Sequence, residues 1–427
     1  MTQPAADRMT RRLEPIAMPA IAQSNQCRTR QTPFPGARRC VAPNRVSRTH
    51  RRLVVFVAIV ALSVAATRAD DAFKPLAPGV EYRHEVRSAG PQSIHVLRIG
   101  RQQKWDVQTG LGKGTVCGLE SLSGIVRRVG ATVKKPAVAA INGDFYLIKR
   151  GPNQGDPSGL QIMQGELVSG PGGGTSFWIA TNGEPRIGRV EARFRVIWPD
   201  GKTQTSIGIN ETRRDDGAVL YTAAFGLQPD EPPKEAPTTR TRGGKEFVLG
   251  RMAGQPWSPI RPGKTYSLKI LEVRNEGGSA LQADKAILSL GPGAPAPAAK
   301  AGDVVQVVME TNPSLDGVRT AIGGGRTLIT GGRSPDLGPA KQPRHPRSMV
   351  GWNDRHLFLM VVDGRRSSAI GMTYPEMAAL AKEHGCTEAF ELDGGGSSTL
   401  WAGKVLNSPS DGRPRALANA LILFRGR

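Results

Sequence analysis

The sequence predicts a mixed α/β (α+β) chain, with a sheet-rich body and a C-terminal βαβ-like unit. Three observations lead there. Glycine and proline are abundant, at 52 and 33 of 427 residues, which favours many turns over long helices. Short stretches of alternating apolar and polar residues recur through the middle of the chain. Near the end, a buried-strand pattern, a capped helical pattern and a second strand follow one another within about forty residues.

The chain begins with a basic leader. Residues 1–69 carry 12 arginines against two acidic residues, Asp7 and Glu14. Arg51 and Arg52 precede the apolar run LVVFVAIVALSVAA, 53–66, which is short for a membrane span. A positive flank, a short apolar core and then Ala65, Ala66 and Ala69 describe a secretory signal peptide cleaved between Ala66 and Ala69. That expectation places the mature protein outside the cell or in the periplasm. The alternative is an N-terminal anchor, with residues 53–66 in transient or lasting contact with a membrane. The expected organisation is a leader plus signal over 1–69, a β-rich segment over 70–134, and a catalytic-type domain over 135–427.

Past the leader, SIHVLRIG and KWDVQT alternate as paired strands. LESLSGIVRRVG, 119–130, suits a short helix, and PAVAAINGDFY, 136–146, a buried strand running into a loop. Seven further strand-like runs follow, from RFRVIW to VVQVVME. HLFLMVVDG, 356–364, is a buried strand. TYPEMAALAKEHG, 373–385, is a helix: Thr373 and Glu376 form a capping box, Pro375 sits in the first turn, and Gly385 stops it. EAFEL, 388–392, and LANALILF, 417–424, close the set as strands.

The net charge of +22 raises the question of nucleic acid. No clustered basic stripe or binding motif follows residue 70, so no nucleic-acid partner is expected. The GKT tripeptides at 201–203 and 263–265 lack the earlier glycine of a P-loop, having Val196 and Ser258 there. HExxH, GxSxG and a dinucleotide fingerprint are absent from the sequence. Cys117 and Cys386, the two cysteines beyond the leader, admit either one disulfide or two buried thiols.

The densest chemistry lies in ELDGGGSSTLW, 391–401. Asp393 stands at a strand end, beside the bare backbone of Gly394, Gly395 and Gly396 and the hydroxyls of Ser397 and Ser398. Such a loop can form a nest for an anion. INGDFY, 141–146, repeats the pattern with Asn142, Asp144 and two aromatic rings. RHPRSMVGWN, 344–353, brings Arg344, His345 and Arg347 close together, and arginine pairs bidentately with phosphate. VVDGRRSSAIGMT, 361–373, places Asp363 at another strand end, and RTAIGGGRTLITGG, 319–332, adds an arginine beside a glycine-rich turn.

Taken in order, INGDFY, RHPRSMVGW, the run from VVDGRR to STLW, and NSPSDGRPRALANALILF resemble the phosphodiester glycosidase family, which includes N-acetylglucosamine-1-phosphodiester hydrolases and bacterial exopolysaccharide-related members. The resemblance spans roughly residues 135–425. It implies a hydrolase and glycosidase that cleaves a sugar-1-phosphate diester, within a phosphorylated glycan or similar carbohydrate, to a free sugar and a phosphomonoester. The residues then take roles. Asp393 and Asp144 serve as nucleophile, base or water-positioning group. Arg347, assisted by His345, meets the phosphate. Gly394–Gly396, Ser397 and Ser398 complete an anion cradle, and Asn142 takes a sugar hydroxyl. Asp363 is a structural or cation-binding candidate, and Glu391 supports from behind. The sequence specifies no cofactor; Asp144, Asp363 and Asp393 offer hard oxygens suited to Ca²⁺ or Mg²⁺. Two other readings keep the same pocket: a carbohydrate-binding or envelope-assembly protein without turnover, and a phosphodiesterase that breaks P–O instead of C–O.

Overall fold

Alternating side chains on one strand, His356–Val362, organise the centre of the molecule. Leu357, Leu359 and Val361 point into one buried cluster, while Phe358, Met360 and Val362 point into another. Side chains on a strand alternate faces, so a continuous apolar run means burial on both. The computed structural model describes residues 72–88, 90–227, 236–252 and 257–426. The signal-peptide expectation, over 53–69, lies outside the described residues.

That strand belongs to a seven-stranded sheet in the order 74–77, 80–87, 92–100, 356–362, 347–352, 388–392, 327–329. Its outer face carries the helix Tyr374–Glu383, which packs Met377, Leu380 and Ala381 against Met349, Phe358 and Met360. Its inner face meets a five-stranded sheet in which Trp105–Leu111, Asn419–Arg425, Ala137–Asn142 and Leu400–Ala402 lie in that order. Leu97, Leu359 and Leu392 there pack on Ile141, Leu421 and Leu423. The helix Leu122–Val133 covers the far side of the second sheet, over Ala140, Ile422 and Phe424. A five-stranded sheet around Thr320–Gly323 and an eight-stranded sheet around Lys245–Arg251 complete the chain.

The capping signals read from the sequence are present. Thr373 Oγ1 accepts from Glu376 N–H at 3.3 Å, and Thr373 N–H donates to Glu376 at 2.8 Å. Gly385 follows the helix at φ +73°.

The mixed α/β expectation is corrected. Among the described residues there are 25 strands and two α-helices, and the chain is predominantly β. The βαβ-like pattern misled for a definite reason. Strands 356–362 and 388–392 do run the same way, but Arg347–Trp352 lies between them, antiparallel to both. The helix therefore crosses over an antiparallel sheet and does not build a parallel one. The one parallel pairing among the named strands is Gly208–Ile209 with Ala218–Tyr221.

Cys117 and Cys386 are free thiols. Burial pushes both up to about 12, so neither is a reactive thiolate at neutral pH.

Candidate active site

Strand ends from both central sheets meet around Asn142 and Asp393. The clasp is Asn142, the last residue of Ala137–Asn142, which is fully buried. Its Oδ1 accepts from Ser348 Oγ at 2.7 Å and from Thr399 N–H at 3.1 Å, while Nδ2 donates to the Asp393 carbonyl at 2.7 Å. One side chain thus ties three segments together. Asp393 N–H adds a bond to Gly143 O at 2.9 Å, which fixes the two carboxylate-bearing strand ends side by side.

Asp144 is 4% exposed. Its Oδ1 accepts from Phe145 N–H at 2.7 Å. Its Oδ2 is buried without a hydrogen-bond partner and lies against two glycines. A Cβ on Gly323 would fall 2.3 Å from that oxygen, and one on Gly159 would fall 2.8 Å away. Glycine at both positions is what leaves room for the carboxylate. Burial pushes Asp144 up to about 7, and the charge of Asp393 acts in the same direction. Burial also raises Asp393, to about 6, against the opposing pull of the Ser397 hydroxyl and of Gly394 N–H, which donates to Oδ1 at 2.8 Å. Asp393 is the more accessible of the two. Two neighbouring carboxyls with values near neutrality are the usual equipment of proton-transfer and glycoside chemistry.

The Gly394–Gly396 turn does not form the open nest read from its sequence. Gly394 N–H is taken by Asp393, Gly395 N–H by Pro346 O, and the Ser397 and Ser398 amides by Gly394 and Gly395 carbonyls. The glycines serve close approach instead. A Cβ on Gly396 would collide with the Arg415 guanidinium at 2.0 Å, and one on Gly395 would sit 3.0 Å from Arg365 Nη2. Two guanidinium groups therefore rest on the turn. The Ser397 and Ser398 hydroxyls are buried there; that of Ser397 faces Asp393, and that of Ser398 makes no hydrogen bond within the protein.

Arg347 and His345 occupy the floor. Arg347 is 7% exposed; its Nε donates to Met372 O at 3.1 Å and its Nη1 to Glu391 at 3.0 Å, with Tyr374 stacked 4.0 Å away. It is committed to protein partners on each of these sides. Glu391 is buried behind Asp393, as the alternation of the strand requires. His345 Nδ1 is buried and unpartnered, and burial together with Arg347 and Arg365 lowers its pKa, so the ring is neutral.

Asp363 is a fully used structural carboxylate. It accepts from His95 Nε2 at 3.0 Å, Ser93 Oγ at 3.0 Å, Asn407 Nδ2 at 3.1 Å and Ser408 N–H at 3.0 Å. Burial alone would raise it, but these bonds outweigh burial and hold it below the usual range. Asn407 in turn accepts from Leu400 N–H and donates to Ser398 O, so Asp363 braces the serine turn from behind. Among the described residues, no three His, Cys, Asp or Glu side chains gather as a cation cage, and Asp144, Asp363 and Asp393 are not brought together as one.

The sequence alone points to no role for Arg415 or Asn407. Both lie in the segment NSPSDGRPRALANALILF, whose only signal was its place in an ordered series of motifs.

A buried carboxylate pair thus lies beside guanidinium groups where strand ends of the two central sheets meet. Residues 271–424 match the family described as phosphodiester glycosidase. The family resemblance read from the sequence therefore holds, over the segment that carries Arg347, Asp363, Asp393 and Arg415. Asn142 and Asp144 precede that segment and are joined to it by the fold. Over 82 residues the chain is 43% identical to an SPbeta prophage-derived uncharacterized protein, YomE, of Bacillus subtilis (strain 168); this is 19% of the chain and 13% of that relative's length. A hypothetical protein from Synechocystis shares the fold at a TM-score of 0.62 and 20% identity, covering 83% of this chain and 63% of that one. A putative exported protein from Burkholderia pseudomallei K96243 does so at 0.56 and 19%, covering 78% and 74%.

Proposed function

We propose that the protein hydrolyses a sugar-1-phosphate diester at the anomeric C–O bond, releasing the free sugar and leaving a phosphomonoester. The observation that carries this reading is the pairing of Asp144 and Asp393, both raised toward neutrality, with Arg365 and Arg415 resting on the adjoining glycine turn. The family match over residues 271–424 supports the reaction class. An N-acetylglucosamine-1-phosphate diester in a phosphorylated glycan is the substrate we favour, from the family resemblance.

The departing group is a phosphate, which leaves readily without strong acid assistance. What it needs is cations and hydrogen donors. Arg365 supplies charge, Arg415 adds to it from its pair with Asp411 at 2.8 Å, and the Ser398 hydroxyl supplies a donor. As C–O breaks, positive charge develops at the anomeric carbon, and the ionised Asp393 carboxylate opposes it. Water adds at that carbon. Its proton passes to a carboxylate of the pair and then to solvent, while the bonding electrons leave with the phosphate. Asp144, the more buried acid, keeps its proton to a higher pH and sets the protonation of the pair.

This reading moves several residues from the roles expected of them. Arg347 holds Glu391 and the floor, Asn142 positions both carboxylate-bearing strands, and Asp363 braces the serine turn. His345, neutral and with a free Nδ1, remains a substrate hydrogen-bonding group.

We also propose that the mature protein is exported. The leader pattern over residues 51–69 supports this. No helix among the described residues is long and apolar enough to cross a membrane.

Hydrolysis in ¹⁸O-labelled water tests the reaction. Label in the released sugar supports C–O cleavage. Label in the phosphate would make the protein a phosphodiesterase, and tight binding without product would make it a carbohydrate-binding protein.

A further inference from the structure

Beyond Tyr146 the surface opens into a cavity of about 780 Å³, within the range of about 300–1,000 Å³ common for ligand sites. One wall is a hairpin-like loop whose root is shared with the catalytic centre. Tyr146 bridges Pro157 across that root, Leu147 N–H donates to Asp156 O at 2.9 Å, and Ser158 N–H donates to Phe145 O at 2.8 Å. Phe145 follows Asp144, and Gly159, against which Asp144 Oδ2 rests, follows Ser158. The Tyr146 hydroxyl donates to Ala416 O at 3.0 Å, beside Arg415. The cavity therefore opens on the Arg415 side of Asp393, where the reading above puts the phosphate.

The cavity's charge has the wrong sign for this chain. Its charged lining groups are Asp156, Glu211 and Arg214, hence 1 − 2 = −1. The whole chain stands at +22. The Asp156 Oδ1 atom is buried and accepts no hydrogen bond. Burial pushes Asp156 up to about 7, and the charge of Glu211 adds to this. A ligand bearing a positive charge in this cavity would relieve that repulsion. Ser158, Ser206 and Thr212 line the same space with hydroxyls.

We propose that this cavity receives the group esterified to the scissile phosphate, and that Asp156 and Glu211 select a hydroxylated group carrying a protonated amine, such as an amino sugar. The proposal rests on the hydrolase reading and adds the identity of the leaving side of its substrate.

Three diesters of N-acetylglucosamine 1-phosphate test it with the full chain: one esterified to O6 of glucosamine, one to O6 of glucose, and one to methanol. The glucosamine diester should exceed the glucose diester in kcat/KM by about tenfold, and the ratio should collapse toward one in Asp156→Asn with Glu211→Gln. Because both substrates are read on one preparation, partial misfolding cancels. Equal kcat/KM for glucosamine and glucose, or a ratio that survives in the variant, overturns the proposal. If no diester is hydrolysed, the hydrolase reading fails by itself. Calorimetry with glucosamine 6-phosphate and glucose 6-phosphate then decides the cavity's role, and equal affinities overturn it.

Discussion

Arg347 donates to Glu391 at 3.0 Å in a pair that is almost wholly buried, with Arg347 7% and Glu391 1% exposed. Burial pushes the Glu391 carboxyl upward, and Arg347 is the main force opposing that. Removing one partner leaves an uncompensated charge in the floor of the site. Arg347→Met should lower stability by about 3–5 kcal/mol in denaturant titration. Arg347→Met with Glu391→Leu should recover most of that loss, because the pair offsets its own desolvation and little more.

Asn142 makes three strong bonds to three segments from full burial. Asn142→Ala leaves Ser348 Oγ, Thr399 N–H and the Asp393 carbonyl short of partners. The expected cost is about 2–4 kcal/mol in thermal or chemical unfolding. Turnover should suffer more than affinity, since Asp393 loses its register while Arg365 and Arg415 stay in place. Steady-state kinetics would read this as a fall in kcat larger than any rise in KM.

Asp144 ties pH to both stability and rate. Its folded value of about 7 exceeds the ordinary carboxyl value of 3.8, so the folded state holds a proton that the unfolded chain has released. The burial cost is absent below about pH 4 and complete above about pH 7. Wild-type stability should therefore decline, relative to Asp144→Asn, as pH rises through that window. The difference should reach on the order of 4 kcal/mol. Thermal unfolding of both proteins from pH 4 to pH 8 checks it. For the rate, Asp393 must be ionised and Asp144 protonated, so kcat/KM should peak between about 6 and about 7, the two limbs belonging to the pair.

Much of the local structure was legible in the sequence, because caps and strand ends are local physics. The Thr373–Glu376 capping box and the strands ending at Asn142 and Leu392 needed only a few neighbouring residues. The fold class was not, because the strand order depends on where Arg347–Trp352 inserts, and no local pattern records that. The carboxylates Asp144 and Asp393 were singled out because each ends a strand beside glycine. Arg347 was read as a phosphate ligand because a guanidinium and a phosphate make a common pair. Its partner, Glu391, lies 44 residues away, and only the sheet brings them together. The glycine turn suggests an open nest, since a sequence shows N–H groups but not the oxygens that occupy them. Arg415 was passed over because its approach to Gly396 exists only in three dimensions.

Asp363 tests whether the brace behind the serine turn matters. It receives four bonds and is 3% exposed. Asp363→Ala should lower stability by about 3 kcal/mol or more, since several buried donors lose their acceptor together. Equilibrium unfolding measures it, and an unchanged midpoint would show that His95, Asn407 and Ser408 find other partners at no cost.

In the proposed reaction Asp393 meets the anomeric carbon of a phosphate-linked sugar. The direct measurement is free N-acetylglucosamine released from an N-acetylglucosamine-1-phosphate diester by the full chain and by Asp393→Asn, compared at equal folded concentration near pH 6.5. Steady release by the former and a loss of at least about a thousandfold in the latter are expected. Undiminished release by Asp393→Asn would contradict that role.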